Sequence, residues 1–313
     1  MTDITNPIYS DANRAREHLE ALHWPNGPVC PHCGNYDGER ITKLKGKSTR
    51  PGVYKCNECA KPFSVTVGTI FEDSKIPLSK WLLAFRLLNG GKKGFSAHEL
   101  HRALGITYKS AWFMAHRIRE AMKSEAPDPM GGYGRAIEAD ETYVGGKDKN
   151  RHVSKRTATK GSKLSEKMAV VSLVERGGDV RSFHVANVTG PLLRNILVTN
   201  ADRGSWLMTD EHSGYKAVGK EFTGHGVVAH SRGEYGRHGV FHTNTIENFF
   251  SIFKRGVIGT YHHISEAHLR RYTVEFDFRY NTRKLTDTER TAEAIKGARG
   301  KRLMYRQPSP LAA

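Results

Sequence analysis

Residues 136–144 read AIEADETYV, an apolar run that is interrupted by acids. In a β-strand, side chains two residues apart lie on the same face, so Glu138 and Asp140 share one face and Glu141 points to the other. A carboxylate in an apolar strand costs free energy unless a metal ion or a partner group compensates its charge. This stretch therefore predicts a buried strand that carries acids into a functional site.

The segments that follow this strand predict an α/β domain. A hairpin of two strands is expected in residues 164–188, with its turn at a Gly–Gly pair. A helix at 191–199 and a short strand that ends at Asp210 come next. Three antiparallel strands, a helix and a further strand ending in Asp are the beginning of an RNase H-like mixed sheet. We expect this catalytic domain to occupy residues 133–285.

A helix predicted from residue 242 onward carries a third acid. Its apolar side chains recur at helical spacing on one side, namely Ile246, Phe249, Phe250 and Phe253. Polar side chains at i, i+3, i+4 and i+7 share another face, namely Asn244, Glu247, Asn248 and Ser251. The 37 residues from Asp210 to Glu247 are enough for a strand, a loop and a return to the same site.

Together the three acids favour a metal-dependent site. Two Mg²⁺ ions about 4 Å apart require several carboxylates on neighbouring elements. We expect Asp140 to bridge both ions, and Asp210 and Glu247 to hold one each. One ion would activate a water or a 3′-hydroxyl, and the other would stabilise the leaving 3′-oxygen. Any one of these acids alone is more simply a surface charge, but three on these elements favour catalysis.

The four cysteines form two Cys-x-x-Cys pairs, Cys30 with Cys33 and Cys56 with Cys59, and 22 residues lie between the pairs. This spacing predicts a zinc ribbon in residues 15–75, with a structural Zn²⁺ held by four thiolates. The alternatives are two disulfides or four unrelated thiols. Disulfides are disfavoured because no secretion signal is visible, and unrelated thiols would not fall in two matched pairs.

Residues 76–126 predict a helix-turn-helix segment. Ser96 can cap a short helix, Gly105 makes a turn, and Thr107 can cap a second helix. Lys109 and Arg119 are expected on outward faces of that second helix, where they can meet DNA. An ordinary helical hairpin with a solvated basic face is the alternative.

A net charge of +17, from 49 Lys+Arg against 32 Asp+Glu, suggests a polyanionic partner, most simply nucleic acid. A basic but unspecialised surface is the alternative. Much of the charge lies in the helix-turn-helix, in an expected loop after residue 146 and in an expected basic tail at 286–313. Without an apolar run of about 18 residues, no membrane span is expected. We expect a cytoplasmic protein that associates with the nucleoid when it is bound to DNA.

Several motifs, in the same order, resemble those of bacterial insertion-sequence transposases of the DDE class that carry an N-terminal zinc ribbon. They include CPHCG, IEADETYVGGK, LMTDEHSGYK, HTNTIENFFSIFKRGVIGTYHHIS and HLRRYTVEFDFRYNTR. The resemblance extends from about residue 15 to about residue 285. It implies DNA cleavage and strand transfer at terminal inverted repeats, with Mg²⁺ or Mn²⁺ and without a covalent enzyme intermediate.

The resemblance also implies roles for individual residues. Asp140 matches the first catalytic acid of the group and Asp210 matches the second. The third position of the group is either Glu or Asn. Glu247 is the preferred match because it precedes Lys254 by seven residues and because a neutral amide is a weaker Mg²⁺ ligand than a carboxylate. Asn244 is the alternative.

Further implications concern the partners. Lys254 and Arg255 match the basic position that contacts a DNA phosphate. The partner is double-stranded DNA, both at the element ends and at the target. By analogy, concerted cutting of two ends implies a homo-oligomer on DNA.

Two other functions are compatible with parts of the sequence. A non-catalytic zinc-ribbon and helix-turn-helix regulator would be expected to have lost one of the acids, yet Asp140, Asp210 and Glu247 are all present. A nuclease that cleaves without joining would use the same metal site. The sequence does not separate it from a transposase, since only the nucleophile differs.

Overall fold

The computed structural model describes residues 3–124, 128–146, 167–229 and 241–304. The chain forms two compact units, Met1–Lys123 with Lys284–Ala313, and Ser124–Arg283. Three stretches lie largely or wholly outside the described residues. They are the expected basic loop after residue 146, the segment rich in Gly, His and Arg before the helix of the third acid, and the last nine residues of the expected tail. In the part of the chain that the structure describes, no helix is long and apolar enough to span a bilayer.

The first unit begins with a helix and a small sheet. Helix α1 (Ala12–His23) starts at Asp11, whose carboxylate accepts hydrogen bonds from the first backbone N–H groups. Strands β1 (Ile41–Lys43), β2 (Tyr54–Cys56) and β3 (Pro62–Phe63) then form an antiparallel sheet in that order. Trp24 packs edge-on against Tyr54 and Phe63 at ring distances of 5.4 and 5.8 Å. These short strands and the two cysteine pairs confirm the predicted zinc-ribbon fold.

Three helices follow the ribbon, namely α2 (Leu78–Asn89), α3 (Ala97–Leu104) and α4 (Tyr108–Ala121). Helix α3 opens with a reciprocal capping box between Ser96 and Glu99. It ends at Gly105, whose φ of 58° lies in the left-handed region that glycine adopts readily. The side chain of Thr107 accepts the N–H of Ser110 at 3.3 Å and so caps α4. The predicted helix, turn and helix are therefore present, and their contact with DNA remains a proposal.

The second unit contains a five-stranded mixed sheet. Its strands are β4 (Ala136–Val144), β5 (Met168–Glu175), β6 (Val180–Val185), β7 (Trp206–Asp210) and β8 (Gly224–Val228). Their order is β6-β5-β4-β7-β8, with β5 antiparallel to both of its neighbours and β4, β7 and β8 mutually parallel. This arrangement confirms the predicted α/β fold with an RNase H-like mixed sheet.

Helices cover both faces of this sheet, which explains why its strands are apolar on both sides. Helices α5 (Gly190–Asn200) and α6 (Tyr215–Val218) pack on one face, against a core that includes Ile137, Leu173 and Leu207. Helices α7 (Asn244–Gly256) and α8 (Glu266–Asn281) pack on the other face. The predicted apolar side of α7 is buried there, namely Ile246, Phe249, Phe250 and Phe253. A short π-helical segment, Val257–Tyr261, extends α7.

The C-terminal residues differ from the expected tail. Helix α9 (Asp287–Lys296) begins with a second capping box, between Thr286 and Glu289. It belongs to the first unit, where the carbonyl of Ile295 lies 3.0 Å from His23 Nε2 and Arg86 pairs with Asp287 at 3.0 Å. A basic tail was expected because the segment is rich in Lys and Arg. Its sparse apolar side chains are nevertheless spaced to bury one face of a helix, with Ala294 and Ile295 almost fully covered.

Candidate active site and metal centres

Asp140 and Asp210 meet because their strands are parallel neighbours. The aligned pairs of the β4–β7 ladder end one residue before each acid, so the two acids lie side by side. By alternation both face the side of the sheet that α7 covers. The backbone N–H of Glu141 donates to Asp140 Oδ1 at 2.7 Å, and that of His212 donates to Asp210 Oδ1 at 3.0 Å. Both carboxylates are thereby oriented by the backbone next to them.

Glu141 joins this pair, although strand alternation predicted that it points to the other face of β4. One carboxylate oxygen from each of Asp140, Glu141 and Asp210 lies within 4.8 Å of the others. The buried Tyr215 of α6 donates its hydroxyl to Glu141 Oε2 at 3.0 Å. Strand β4 continues past the last residue that pairs with β7, so Glu141 lies beside the end of β7, where Asp210 is. The alternation of polar and apolar residues does not encode this register.

The two acids of this group on β4 have raised pKa values. The pKa of Asp140 is raised to about 8, chiefly by burial and then by the neighbouring charges of Asp210, Glu141 and Glu247. The pKa of Glu141 is also raised, by burial and then by Asp210. A bound cation would reverse this mutual repulsion, because it stabilises the ionised form of each acid.

Glu247 is near this group but is not part of it. Its charge acts on Asp140, yet the described acids that come within 4.8 Å of one another at this site are the three above. The hydroxyl of Thr243 donates to Glu247 Oε1 at 2.9 Å. Asn244, the alternative third ligand, is exposed at the first position of α7.

The last turn of α7 is basic, as the sequence predicted. Lys254 and Arg255 are both exposed there. The guanidinium of Arg255 donates to the hydroxyl and the carbonyl of Ser251 at 3.1 and 3.2 Å. These cations are thus on the same helix as Glu247, about two turns farther along.

The donor atoms of this site suit a hard divalent cation. Carboxylate oxygens on β4 and β7, with a further carboxylate on α7, are the ligand type that Mg²⁺ and Mn²⁺ prefer. Thiols and imidazoles, which would select a softer ion, are not part of the acid group among the described residues. The residues present therefore fit the predicted ions.

The four cysteines form the second group that could hold a metal ion. Sγ of Cys30 lies 3.7 Å from that of Cys59, and Sγ of Cys33 lies 3.7 Å from that of Cys56. Four sulfurs at about 2.3 Å from a tetrahedral zinc ion are about 3.8 Å apart, whereas a disulfide requires about 2.0 Å. All four sulfurs lie within 4.8 Å of one another. The spacing fits the predicted zinc and not the disulfide alternative.

Both cysteine knuckles use a left-handed residue after the second thiol. Gly34 follows Cys33 with a φ of 77°, and Ala60 follows Cys59 with a φ of 58°. Glycine adopts this conformation without steric cost. At Ala60 the same backbone turn is made by a residue that has a Cβ atom, which is the less favourable choice.

Of the two residues on α4 that were predicted to face DNA, one is exposed and the other is buried. Lys109 is exposed in the first turn, as expected. Arg119 is only 2 % exposed, so the expectation that it faces outward is wrong. The segment after α9 lies beside this end of α4, where Arg117 Nε donates to the carbonyl of Leu303 at 3.0 Å and Lys301 Nζ donates to that of Ala121 at 3.2 Å. Because that segment was expected to be a tail, its contact with α4 was not predicted.

Comparisons with known proteins agree with the domain that carries the acids and with the cysteine ribbon. Residues 131–281 match the model of the ISXO2-like transposase domain, and residues 10–62 match that of the transposase zinc-ribbon domain. A protein of Halobacterium salinarum, described as an uncharacterized protein in transposable element ISH50, is 27 % identical over 281 residues. That alignment covers 85 % of this chain and 90 % of the relative.

Proposed function

Since this chain belongs to the insertion-sequence transposases that carry an N-terminal zinc ribbon, we propose that it cuts and joins DNA at the inverted repeats of its own element. The observation that carries the proposal is the convergence of Asp140 and Asp210 at the ends of two parallel strands. Glu247, on the helix that covers them, is the proposed third ligand. Acting on element DNA, the protein works in the compartment that holds the chromosome, which we expect to be the cytoplasm.

Two divalent ions, Mg²⁺ or Mn²⁺, would supply the activated oxygen nucleophile and the neutralisation of the leaving 3′-oxygen. Asp140 and Asp210 hold their carboxylates at the spacing of a shared site, oriented by adjacent backbone N–H groups. Glu247 closes the site from α7, where the Thr243 hydroxyl fixes its carboxylate. Lys254 and Arg255 bind a phosphate of the DNA beyond the site and so position the scissile bond.

We propose that the first unit binds the element ends. The zinc ribbon forms a rigid base, and α3 and α4 supply the helix-turn-helix with Lys109 toward the DNA. Because cutting two ends in concert needs two active sites, we propose that the protein acts as a homo-oligomer on DNA.

A cleavage and strand-transfer assay tests this function. The purified full chain would receive labelled duplexes of its element ends with Mg²⁺ or Mn²⁺, beside Asp140→Ala, Asp210→Ala, Glu247→Ala and Asn244→Ala. Loss of one metal ligand is expected to lower the cleavage rate by at least about a hundredfold, because an in-line displacement then lacks a fixed ion. The exposed Glu266 of the same unit, changed to Gln, serves as the control and keeps full activity.

The possible outcomes separate the alternatives. Full activity of Asp210→Ala would show that the proposed site is wrong. An active Glu247→Ala beside an inactive Asn244→Ala would move the third ligand to Asn244. Cleaved ends that never become joined to a target duplex would favour the nuclease, and binding without cleavage would favour the regulator.

A further inference from the structure

A buried acid that the proposed metal site does not use lies two residues before Asp140. Glu138 is fully buried, and its carboxylate is surrounded by donors. Arg176 Nε and the hydroxyl of Thr245 donate to Oε1 at 2.7 and 2.9 Å. The backbone N–H groups of Thr245 and Ile246 both donate to Oε2 at 2.9 Å. Glu138 therefore binds the start of α7 and not the acid group beside it.

This contact replaces the usual cap of α7. The first N–H groups of a helix need acceptors, which a Ser or Thr at the cap position commonly supplies. Thr243 occupies that position, but its side chain makes no capping hydrogen bond and donates to Glu247 instead. The carboxylate of Glu138 accepts the N–H groups in its place, and its negative charge is favourable at a helix N-terminus.

The contact fixes the distance between two elements of the active site. Glu138 and Asp140 lie on the same face of β4, about 7 Å apart along the strand. Ile246, which donates to Glu138, immediately precedes Glu247 in α7. The pair of hydrogen bonds to Oε2 therefore sets both the rotation and the axial position of α7 at the point where Glu247 approaches Asp140.

Arg176 completes the arrangement from a third element. It follows the last residue of β5, and its side chain is 22 % exposed. While Nε binds Glu138, one terminal nitrogen donates to the carbonyl of His242 at 2.7 Å, just before α7 begins. A buried carboxylate is costly without such a counter-charge, so Arg176 makes the use of Glu138 as a helix acceptor possible.

We propose that Glu138, with Arg176, is a positioning residue that holds α7 so that Glu247 meets the ions bound by Asp140 and Asp210. The inference rests on the proposed function. Its effect passes through α7, since the carboxylate of Glu138 already accepts four hydrogen bonds, two of them from the backbone of α7.

Binding of Mn²⁺ to the full chain without DNA, followed by electron paramagnetic resonance or calorimetry, tests the proposal independently of activity. Glu138→Gln keeps the shape of the side chain but turns an amide NH₂ group, itself a donor, toward the donors around it. We expect it to weaken Mn²⁺ binding by about 10–100-fold, the usual effect of losing a group that orients a ligand. Excess Mn²⁺ should restore much of the cleavage rate, while the affinity for element-end DNA stays unchanged.

Glu175→Gln is the matched control. This carboxylate lies in the same unit, pairs with Arg135 and accepts the backbone N–H of Gly131 at 3.0 Å, and neither of these partners belongs to α7. We expect Glu175→Gln to lose about as much thermal stability as Glu138→Gln does, but to keep the Mn²⁺ affinity of the wild type. Equal weakening of Mn²⁺ binding in both variants would overturn the positioning role, because the effect would then reflect general destabilisation.

Other outcomes are equally decisive. Wild-type Mn²⁺ affinity in folded Glu138→Gln overturns this inference and leaves the proposed function intact. A wild-type protein that binds no Mn²⁺ removes the proposed function and this inference with it. If Glu138→Gln does not fold, Thr245→Val decides, since it removes only the hydroxyl donor to Glu138. A severalfold loss of Mn²⁺ affinity in Thr245→Val supports the role, and an unchanged affinity overturns it.

Discussion

At the residue scale, Asp140 is an acid whose surroundings in the fold disfavour its ionised form. It is largely buried, and three further acids act on its charge. Such a site costs stability in the absence of a cation and becomes favourable when a cation binds. The free energy that repulsion stores in the metal-free protein is therefore part of the driving force for metal binding.

Stability of the metal-free protein should depend on this acid. The pKa of Asp140 is about 8 in the folded chain against 3.8 for the free side chain, so the folded state holds the proton more tightly. The stabilising contribution is full below about pH 4 and is lost as the pH rises toward 8. In EDTA, Asp140→Asn should therefore raise the free energy of unfolding by about 4–6 kcal/mol at pH 8.5 and by about 1–2 kcal/mol at pH 5.

Urea unfolding at the two pH values measures this difference. Glu266→Gln, which changes an exposed acid of the same unit, should show no such dependence on pH. A gain in Asp140→Asn that is the same at pH 5 and pH 8.5 would contradict the account, because it would not come from the ionised carboxylate.

Ala60 offers a second prediction at this scale. Its φ of 58° places a Cβ atom in the left-handed region, whereas the equivalent position of the other knuckle is Gly34. Ala60→Gly should stabilise the zinc-loaded protein by about 0.5–1 kcal/mol, since relief of backbone strain outweighs the extra freedom of the unfolded chain. Thermal unfolding measures the gain, and Gly34→Ala should give a loss of similar size. A destabilised Ala60→Gly would show that the turn is not strained.

At the scale of elements, the sequence was informative wherever a local pattern decided the outcome. The apolar side of α7, the caps of α3 and α4 and the two cysteine pairs follow from spacing alone. What spacing did not reveal depends on register and on distant packing. Glu141 reaches the acid group because β7 stops beside β4, and α4, in which Arg119 is buried, binds through Arg117 to a segment almost two hundred residues away.

Helix α9 is a further element whose distant packing the local sequence pattern did not reveal, and its core contact can be tested. Ile295 is 1 % exposed, while the neighbouring Lys296 is exposed and pairs with Glu293 at 2.7 Å. Ile295→Ala should destabilise the first unit by about 2–5 kcal/mol, because it leaves a cavity in a packed core. Lys296→Ala should change little, because exposed ion pairs contribute weakly.

Amide hydrogen exchange can locate this effect. In Ile295→Ala, protection should fall in α1 and α2, which belong to the same unit as α9, and should persist in the strands of the second unit. Unchanged protection of α1 and α2 would mean that α9 is not part of the first unit's core. The family matches end at residue 281, so they are silent on this helix.

At the scale of the whole molecule, the net charge of +17 and the acid group have opposite effects on a polyanion. Positive side chains attract a polyanion, and a few acids at the end of two strands repel it unless cations intervene. The charge alone is compatible with a simple DNA-binding protein. The convergence of Asp140 and Asp210 makes an enzyme the better interpretation.

Binding of element-end DNA should therefore depend steeply on salt. If 6–10 phosphates are contacted, affinity should fall by about 10³–10⁵-fold between about 50 and 200 mM salt. Lys254→Ala should lower the slope of log affinity against log salt by about one, as the loss of one phosphate contact requires. Fluorescence anisotropy measures both slopes. An unchanged slope in Lys254→Ala would remove this side chain from the DNA contact.

The central claim is that carboxylates of β4, β7 and α7 hold the ions that cut DNA. Its most direct test is a crystal of the protein with element-end DNA and Mn²⁺, examined by anomalous scattering. The account predicts two peaks about 4 Å apart, with Asp140 between them and with Asp210 and Glu247 each bound to one. A peak that Glu141 binds in place of Glu247 would correct the third ligand. Mn²⁺ peaks elsewhere, with none at Asp140 and Asp210, would contradict the claim.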